Sequence, residues 1–359
     1  MTIACARESV SPRTLVREID PLQDPRWPAF IQSHPRASVF HTRGWIEALK
    51  RTYGYKAFAL TTSLPSQALD NGIVACRVSS WLTGKRIVSL PFSDHCHPLA
   101  GSDGELNDLL TALKAEQESQ GGRYVEIRPV ADDSFSPYDF NKSQSFCMHR
   151  LDLAPGLPEM FQRFHKDCVQ RKIARAEREG LAYEEGRSEL LLEKFYGLMV
   201  LTRRRQSLVP QPLAWFRNLI DCMGARLQLH VVSKGNQTLA AMLTLMHRQT
   251  LVYKYGGSDK RLSHLGGNQL MFWRAIENAK AQGFREFDLG RSDWDTPGLI
   301  SFKDRWGAVR SNLTYWRTGA VWEGHATTET HGRGARLLLR HLPGKLLRIT
   351  GALAYRHLG

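Results

Sequence analysis

Residues 251–289 read LVYKYGGSDKRLSHLGGNQLMFWRAIENAKAQGFREFDL, and their order decides the fold. Leu251–Tyr255 is an apolar and aromatic run of the kind that fills a strand. Gly266 and Gly267 interrupt the chain just before Asn268–Gln282, whose periodicity predicts a helix, and Gly283 ends it. Phe284–Leu289 predicts the next strand. Upstream, Leu227–Lys234 and Thr238–His247 predict a hairpin across Gly235-Asn236. Hairpin, strand, glycine pair, helix and strand form an α/β order, with mixed sheets expected.

The rest of the chain extends this pattern in both directions. Arg43–Arg51 predicts a short amphipathic helix, and Gly72–Val78 and Arg86–Leu90 predict strands. Asn107–Gln120 predicts a helix stopped by Gly121-Gly122, with Tyr124–Arg128 as a strand after it. Pro158–Gly180 and Leu190–Gln206 predict two longer helices. Between these halves, Ala131–Ser145 is rich in Asp, Ser, Pro and Asn, which marks a boundary. A chain of 359 residues exceeds what one core usually supports. The expected units are 1–148, 149–320 and a basic amphipathic tail, 321–359. No acidic residue follows Glu329, and the tail carries six Lys or Arg from Arg333 to Arg356 among leucines.

Composition excludes several classes. A hydrophobic fraction of 42% and a charged fraction of 23% are those of an ordinary globular protein. A net charge of +14 favours polyanionic partners without choosing among nucleic acid, nucleotide-linked substrates and an anionic membrane face. No nucleic-acid motif is present, so a nucleic-acid binder ranks last. The six cysteines are scattered with no Cys-x-x-Cys pair, which argues against a disulfide framework or zinc ribbon. Met1–Val10 holds no apolar stretch of the kind a signal peptide needs, and no apolar run is long enough to span a bilayer. The expected location is cytoplasmic, with the tail as a contact for the inner face of the membrane.

Candidate chemistry begins at the glycine pair. A helix N-terminus entered through Gly266 and Gly267 presents backbone N–H groups to an anion, and Lys260 and Arg261 add charge. The plain alternative is a tight turn into a surface helix. Asp288 and Arg291 fall at the end of a strand, where α/β folds often place functional groups, although an internal ion pair would also explain them. Arg171, Lys172 and Arg175 recur at helical spacing, suited to acceptor phosphates or simply to a solvated face. Asp293 and Asp295 are candidate bases within Asp-Trp-Asp-Thr-Pro-Gly, which also reads as a turn. Asp94, His95, Cys96 and His97 carry metal-binding side chains but are too crowded to face one ion, so no metal is expected.

Several stretches carry a resemblance: Tyr253-Lys254-Tyr255-Gly256-Gly257-Ser258; Gly267-Asn268; Phe287-Asp288-Leu289-Gly290-Arg291-Ser292; and Phe302-Lys303-Asp304-Arg305-Trp306-Gly307-Ala308. With the Arg-rich segment Arg171–Gly180 and Leu90-Pro91-Phe92-Ser93-Asp94, they resemble the FemAB-like branch of the GNAT acyltransferase superfamily. That branch includes peptidoglycan interpeptide-bridge aminoacyltransferases and exopolysaccharide-associated acyltransferases. The likeness spans roughly Val39 to Trp316 and implies tandem GNAT-like domains.

It further implies an N-acyltransferase acting on a cell-envelope or polysaccharide precursor. The donor would be acetyl-CoA or another acyl-CoA, with aminoacyl-tRNA as the alternative, and a non-enzymatic membrane-surface binder of glycan precursors is the rival of another class. Phe284–Ala308 would close the transfer site. Lys303 would be the oxyanion donor, beside Phe302 and with Asp288 in the catalytic set. Gly256, Gly257, Arg261, Gly266, Gly267 and Asn268 would bind the donor, and Arg171, Lys172, Arg175, Arg291 and Tyr255 the acceptor. Three features depart from the pattern. The Gln/Arg-x-x-Gly-x-Gly/Ala coenzyme-A signature is absent, the coiled-coil arm of some Fem proteins is absent, and His97 stands where a glycine is expected.

Overall fold

Residues 15–130, 137–319, 346, 350, 351 and 354–357 are described by a computed structural model, and their strands form one twelve-stranded sheet. The first half supplies β1 (Arg17–Ile19), β2 (Lys56–Thr61), β3 (Ile73–Ser80), β4 (Gly84–Val88) and β5 (Val125–Ile127), with helices α1 (Trp27–Ser33), α2 (Arg43–Tyr53) and α3 (Asp103–Ser119). Next come β6 (Asn141–Asp152), α4 (Leu157–Arg163), α5 (Arg171–Arg178), β7 (Ala182–Gly186), α6 (Glu189–Arg205) and α7 (Leu213–Met223). The chain continues through β8 (Leu227–Lys234), β9 (Gln237–His247), β10 (Thr250–Ser258), α8 (Gly267–Ala281), β11 (Glu286–Asp293), α9 (Pro297–Asp304) and β12 (Val309–Arg317).

The strand order, β1-β2-β3-β4-β5-β12-β6-β11-β10-β9-β8-β7, repeats one plan twice. β1 to β4 form an antiparallel run that ends in a parallel β4–β5 pair, and α3 makes the crossover. β7 to β10 do the same, ending in a parallel β10–β11 pair crossed by α8. The two plans then exchange a strand. β6 follows β5 in the chain but pairs with β11, while β12 follows β11 but pairs with β5 and β6.

Helices α2, α6 and α7 share one core on one face of the sheet, built on Trp45, Leu49, Phe195, Trp215 and Phe216. Trp45 and Trp215 meet edge to face at 5.2 Å, a geometry worth about 0.5–1.5 kcal/mol beyond burial. A Cβ on Gly44 would lie 2.6 Å from Cys222 O, so the glycine sets how closely α2 and α7 cross. Helices α4, α5 and α8 cover the other face of the second half around Leu270, Phe272, Ile276 and Trp306.

The strand, glycine, helix and strand order of 251–289 is present, as are the Gly235-Asn236 hairpin and the helices expected at 43–51, 107–120 and 190–206. Two readings change. Pro158–Gly180 is not one helix but α4, a five-residue π turn at Lys166–Gln170, and α5. The break comes at Phe164 and His165, where the backbone leaves the helical region and the His165 ring accepts from the Asp167 and Cys168 amides. The irregular stretch expected at 131–145 ends at Asn141, where β6 begins and then runs unbroken through 148 and 149. Phe146–His149 is buried without alternation, as a strand covered on both faces should be, and period-two patterning is silent there. The tail, 321–359, lies largely outside the described residues. Of those described, Tyr355 packs against Phe92, and the Tyr55 hydroxyl donates to Arg356 O at 3.1 Å.

Candidate active site

β10 and β11 pair from Thr250↔Glu286 to Val252↔Asp288 and no further, although they continue to Ser258 and Asp293. Each is bulged against its other neighbour at that point. β10 shifts register against β9 between Tyr253 and Tyr255, and β11 against β6 between Asp288 and Arg291. Gly290 takes the left-handed φ of 70° that such a bulge requires. A Cβ there would lie 3.2 Å from both Tyr253 O and Asp94 Oδ2. The parallel pair therefore opens just beyond Asp288.

Charge is buried around this opening. Lys254 Nζ donates to Asp94 Oδ1 at 2.7 Å and lies 5.3 Å from the ring centres of Phe40 and Tyr255. Burial pushes the Lys254 pKa down, against the attraction of Asp94. Arg291 stacks over Phe146 at 4.0 Å and donates to Tyr315 Oη at 3.0 Å, and that hydroxyl donates to Asp94 O at 2.6 Å. Asp288 is fully enclosed. Burial opposes its ionisation, but the His95 hydrogen bond at 3.2 Å, the charges of His95 and Arg150, and the Gly290 amide at 2.7 Å together hold its carboxyl below the usual range.

Lys303 rises from α9, a helix opened by Pro297 at its start, where the missing N–H costs nothing. Lys303 is 2% exposed, and its ammonium donates to Gly290 O at 2.8 Å and Arg291 O at 3.2 Å. Burial brings its pKa down to about 8, offset in part by Asp94 and Asp288. A buried ammonium is thus fixed on the carbonyls of the bulge, near enough to two carboxylates to feel both.

The sequence-derived residues divide among several places. Lys303, Asp288 and Arg291 converge on the opening, and Tyr255 lies beside Lys254. Phe302 packs edge-on against Phe272, on the α8 side. Gly256 and Gly257 allow close packing, because Cβ atoms there would strike the Tyr253 ring and, at 2.7 Å, the Leu198 backbone of α6. Gly266, at φ 83°, passes under the Lys172 carbonyl, and Gly267 and Asn268 open α8. Arg261 is held by Asp259 at 2.6 Å, with its side chain 80% exposed.

Arg171, Lys172 and Arg175 do not join Arg291 and Tyr255. They lie on α5 against the loop before α8, where Lys172 Nζ donates to His264 O at 3.3 Å, Arg171 bridges Asp167 and Arg175 bridges Glu179. Asp293 ends β11 and Asp295 lies in the turn after it, both exposed. The Asp94–His97 run points four ways: Asp94 to Lys254, His95 to Asp288, Cys96 to His41 and His97 to Arg36.

Sequence reading assigned no role to Lys254, His95 or Tyr315. The signal for Lys254 was available, since a lysine between two tyrosines inside an apolar strand needs a buried partner. No local pattern announces Tyr315, which reaches Asp94 across 221 residues of chain.

Residues 163–303, which include α5 to α8 and Lys303, match the Acetyltransferase (GNAT) domain family. Among solved structures, a crystal structure of FemX is similar with a TM-score of 0.68 at 16% identity, covering 84% of this chain and 96% of that one. A conserved protein of unknown function from Bacteroides thetaiotaomicron gives a TM-score of 0.55 at 12% identity, over 84% and 98%. A tandem GNAT protein from the clavulanic acid biosynthesis pathway gives 0.52 at 10%, over 86% and 100%. No curated protein matches the sequence. The match places a GNAT domain at 163–303, and the solved structures share the fold of most of the chain, including that of a tandem GNAT protein. No helix among the described residues is long and apolar enough to cross a membrane.

Proposed function

We propose that the chain moves an acyl group, acetyl or aminoacyl, onto an amine of a cell-envelope or exopolysaccharide precursor. The observation that carries this reading is the opening of β10 from β11 beside Lys303, Lys254, Asp94 and Asp288. Acyl transfer to an amine needs a slot for the acyl chain, a donor at the developing oxyanion and a base for the amine proton. The opening offers backbone groups for the first, and Lys303 keeps one N–H free of the two carbonyls it already serves. One such donor is worth about 3–4 kcal/mol at the transition state. We take Asp94 as the base, with Lys254 holding its carboxylate in position.

GNAT domains generally use acyl-CoA, whose thioester supplies the activated carbonyl. The loop before α8 suits its phosphates: Gly266 and Gly267 open the helix, and Lys260, Arg261 and Lys172 lie around them. Aminoacyl-tRNA is the second donor reading, favoured by the net charge of +14. The choice of an envelope precursor rests on the FemAB-like motifs.

The test is mass spectrometry of envelope and polysaccharide precursor pools incubated with the protein and either acetyl-CoA or charged tRNA. A mass gain of one acyl unit with one donor selects between the two, and none with either overturns the proposal. Flotation with anionic liposomes at low salt addresses the non-enzymatic alternative and the membrane contact of 321–359. Failure of the full chain to float removes both.

A further inference from the structure

β3 and β4 are joined by a tight turn, 81–83, that holds two large apolar side chains out in water. Trp81 is 83% exposed and Leu82 62%. Apolar residues exposed singly are ordinary on a protein surface, but an adjacent Trp and Leu that both avoid the core call for a use. The turn beneath them is well tied. The Ser80 hydroxyl accepts from the Leu82 and Thr83 amides at 3.1 and 3.0 Å, and buried Arg86 donates to Thr83 Oγ1. The tip is therefore ordered in advance, and its apolar pair is presented outward.

The charge around the tip has one sign. Lys85 lies across the hairpin from Ser79, and a Cβ on Gly84 would lie 2.7 Å from Arg123 Cδ. The last turn of the chain reaches the same place. His357 Nδ1 meets Ser80 Oγ at 3.0 Å, the His357 carbonyl accepts from Thr83 Oγ1 at 3.2 Å and Arg86 at 3.1 Å, and the His357 ring stands edge-on to Trp81 at 5.6 Å. Arg356 arrives with it. Lys85, Arg123 and Arg356 are exposed, and among the described residues no carboxylate pairs with any of them. Lys85 and Arg123 donate only to the carbonyls of Gln120 and Thr83. The same docking fixes the end of the segment that carries six Lys or Arg from Arg333 to Arg356 and no acidic residue after Glu329.

An ordered tip with an indole and a leucine, set among unpaired cations, matches the boundary of an anionic bilayer. There the apolar pair enters the edge of the hydrocarbon, the indole N–H stays among headgroups, and the cations meet lipid phosphates. A second copy of the chain fits less well, because its own tip would bring the same cations against these.

We propose that the β3–β4 tip is a membrane-contact element, with Trp81 and Leu82 entering an anionic lipid surface and the basic residues beside them supplying the attraction. The contact is thus built on the folded first half as well as on the tail, and it does not depend on the acyl-transfer reading. β4 runs from the tip toward Ser93 and Asp94, so docking through the tip leaves that far end of the strand uncovered.

Flotation of the full chain with vesicles of phosphatidylglycerol and phosphatidylcholine, against phosphatidylcholine alone, tests it. The chain should float with the mixed vesicles only, and less as salt is added. Leu82→Ser and, separately, Trp81→Ala should each weaken vesicle partition about tenfold. The double variant Lys85→Glu, Arg123→Glu should weaken it at least as much. Leu82→Ser alters a side chain that is mostly in water, so its urea midpoint should match the parent's, and it carries the test if Trp81→Ala loosens the His357 turn. Brominated lipid should quench the tryptophan fluorescence of the parent more than that of Trp81→Phe. Failure to float overturns the proposal, as does flotation and quenching unaltered by the tip variants, which would assign the contact to the tail alone. Self-association abolished by Leu82→Ser, without flotation, overturns it in favour of a second copy.

Discussion

The molecule holds two parallel strand pairs built on one plan, one of them sealed and the other open. In the first half, pairing of β4 with β5 at Val88↔Glu126 is followed by further stitching. The Ser89 amide donates to Glu126 O, the Arg128 amide to Ser89 Oγ, and the Cys96 amide to Arg128 O at 2.5 Å. Glu126, 2% exposed, is clamped by Arg128 at 2.7 Å and by Arg317 of β12 at 2.5 Å. In the second half, pairing stops at Val252↔Asp288, and the charges beyond are spread over Asp94, Lys254, Arg291 and Lys303. On the function proposed above, the difference teaches how one framework separates holding from reacting. Where charges close on each other the pair is a girder, and where they are spaced around a gap the pair is a workplace.

The sharpest way to break this contrast is at Lys303. Lys303→Met should lower kcat about 10²- to 10³-fold with the folded state kept, read by thiol release from acyl-CoA once an acceptor is in hand. Glu126→Gln attacks the sealed side. It leaves Arg128 and Arg317 facing each other in a buried site and should cost roughly 3 kcal/mol of unfolding free energy in urea titration. Equal losses of activity at both positions would erase the division between the two pairs. Gly290→Ala tests the bulge that opens the second pair: a Cβ at φ 70° against Asp94 and Tyr253 should cost about 1–2 kcal/mol and displace the carboxylate.

Two pH effects are smaller. With protonated Lys303 as the proposed donor, activity should fall as pH rises through about 8, and Lys303→Arg should remove that descending limb. His41, His230 and His247 are held neutral by burial, with pKa values lowered from 6.5 to about 3, 4 and 4. The unfolded chain takes up those protons first, so stability should decline as pH falls from about 6.5 toward 4, visible as a falling urea midpoint.

The second pair was legible in the sequence because its signals are local: a hairpin turn, a glycine pair before a helix, and an apolar strand after it. Lys303 was reached through the Phe-Lys motif, and the helix beneath it was hidden inside a run that also reads as a turn. The sealing of the first pair was not legible. Glu126 and Arg317 are separated by most of the chain, and nothing in either neighbourhood announces the other. The same holds for Lys254 and Asp94, whose meeting depends on how the two halves share a sheet.

That sharing sets the order in which the chain can be completed during synthesis. β5 waits for β12, the last strand of the sheet to leave the ribosome, while β6 leaves early and waits for β11. Until then the nascent first half presents a raw strand edge and a Glu126–Arg128 pair lacking its third member, Arg317. Contacts of such long sequence separation are slow to close, and an exposed edge invites pairing with neighbouring chains. The expected vulnerability is therefore kinetic: aggregation during expression of truncated or slowly translated chains, relieved by chaperones that cover β5 until Arg317 arrives.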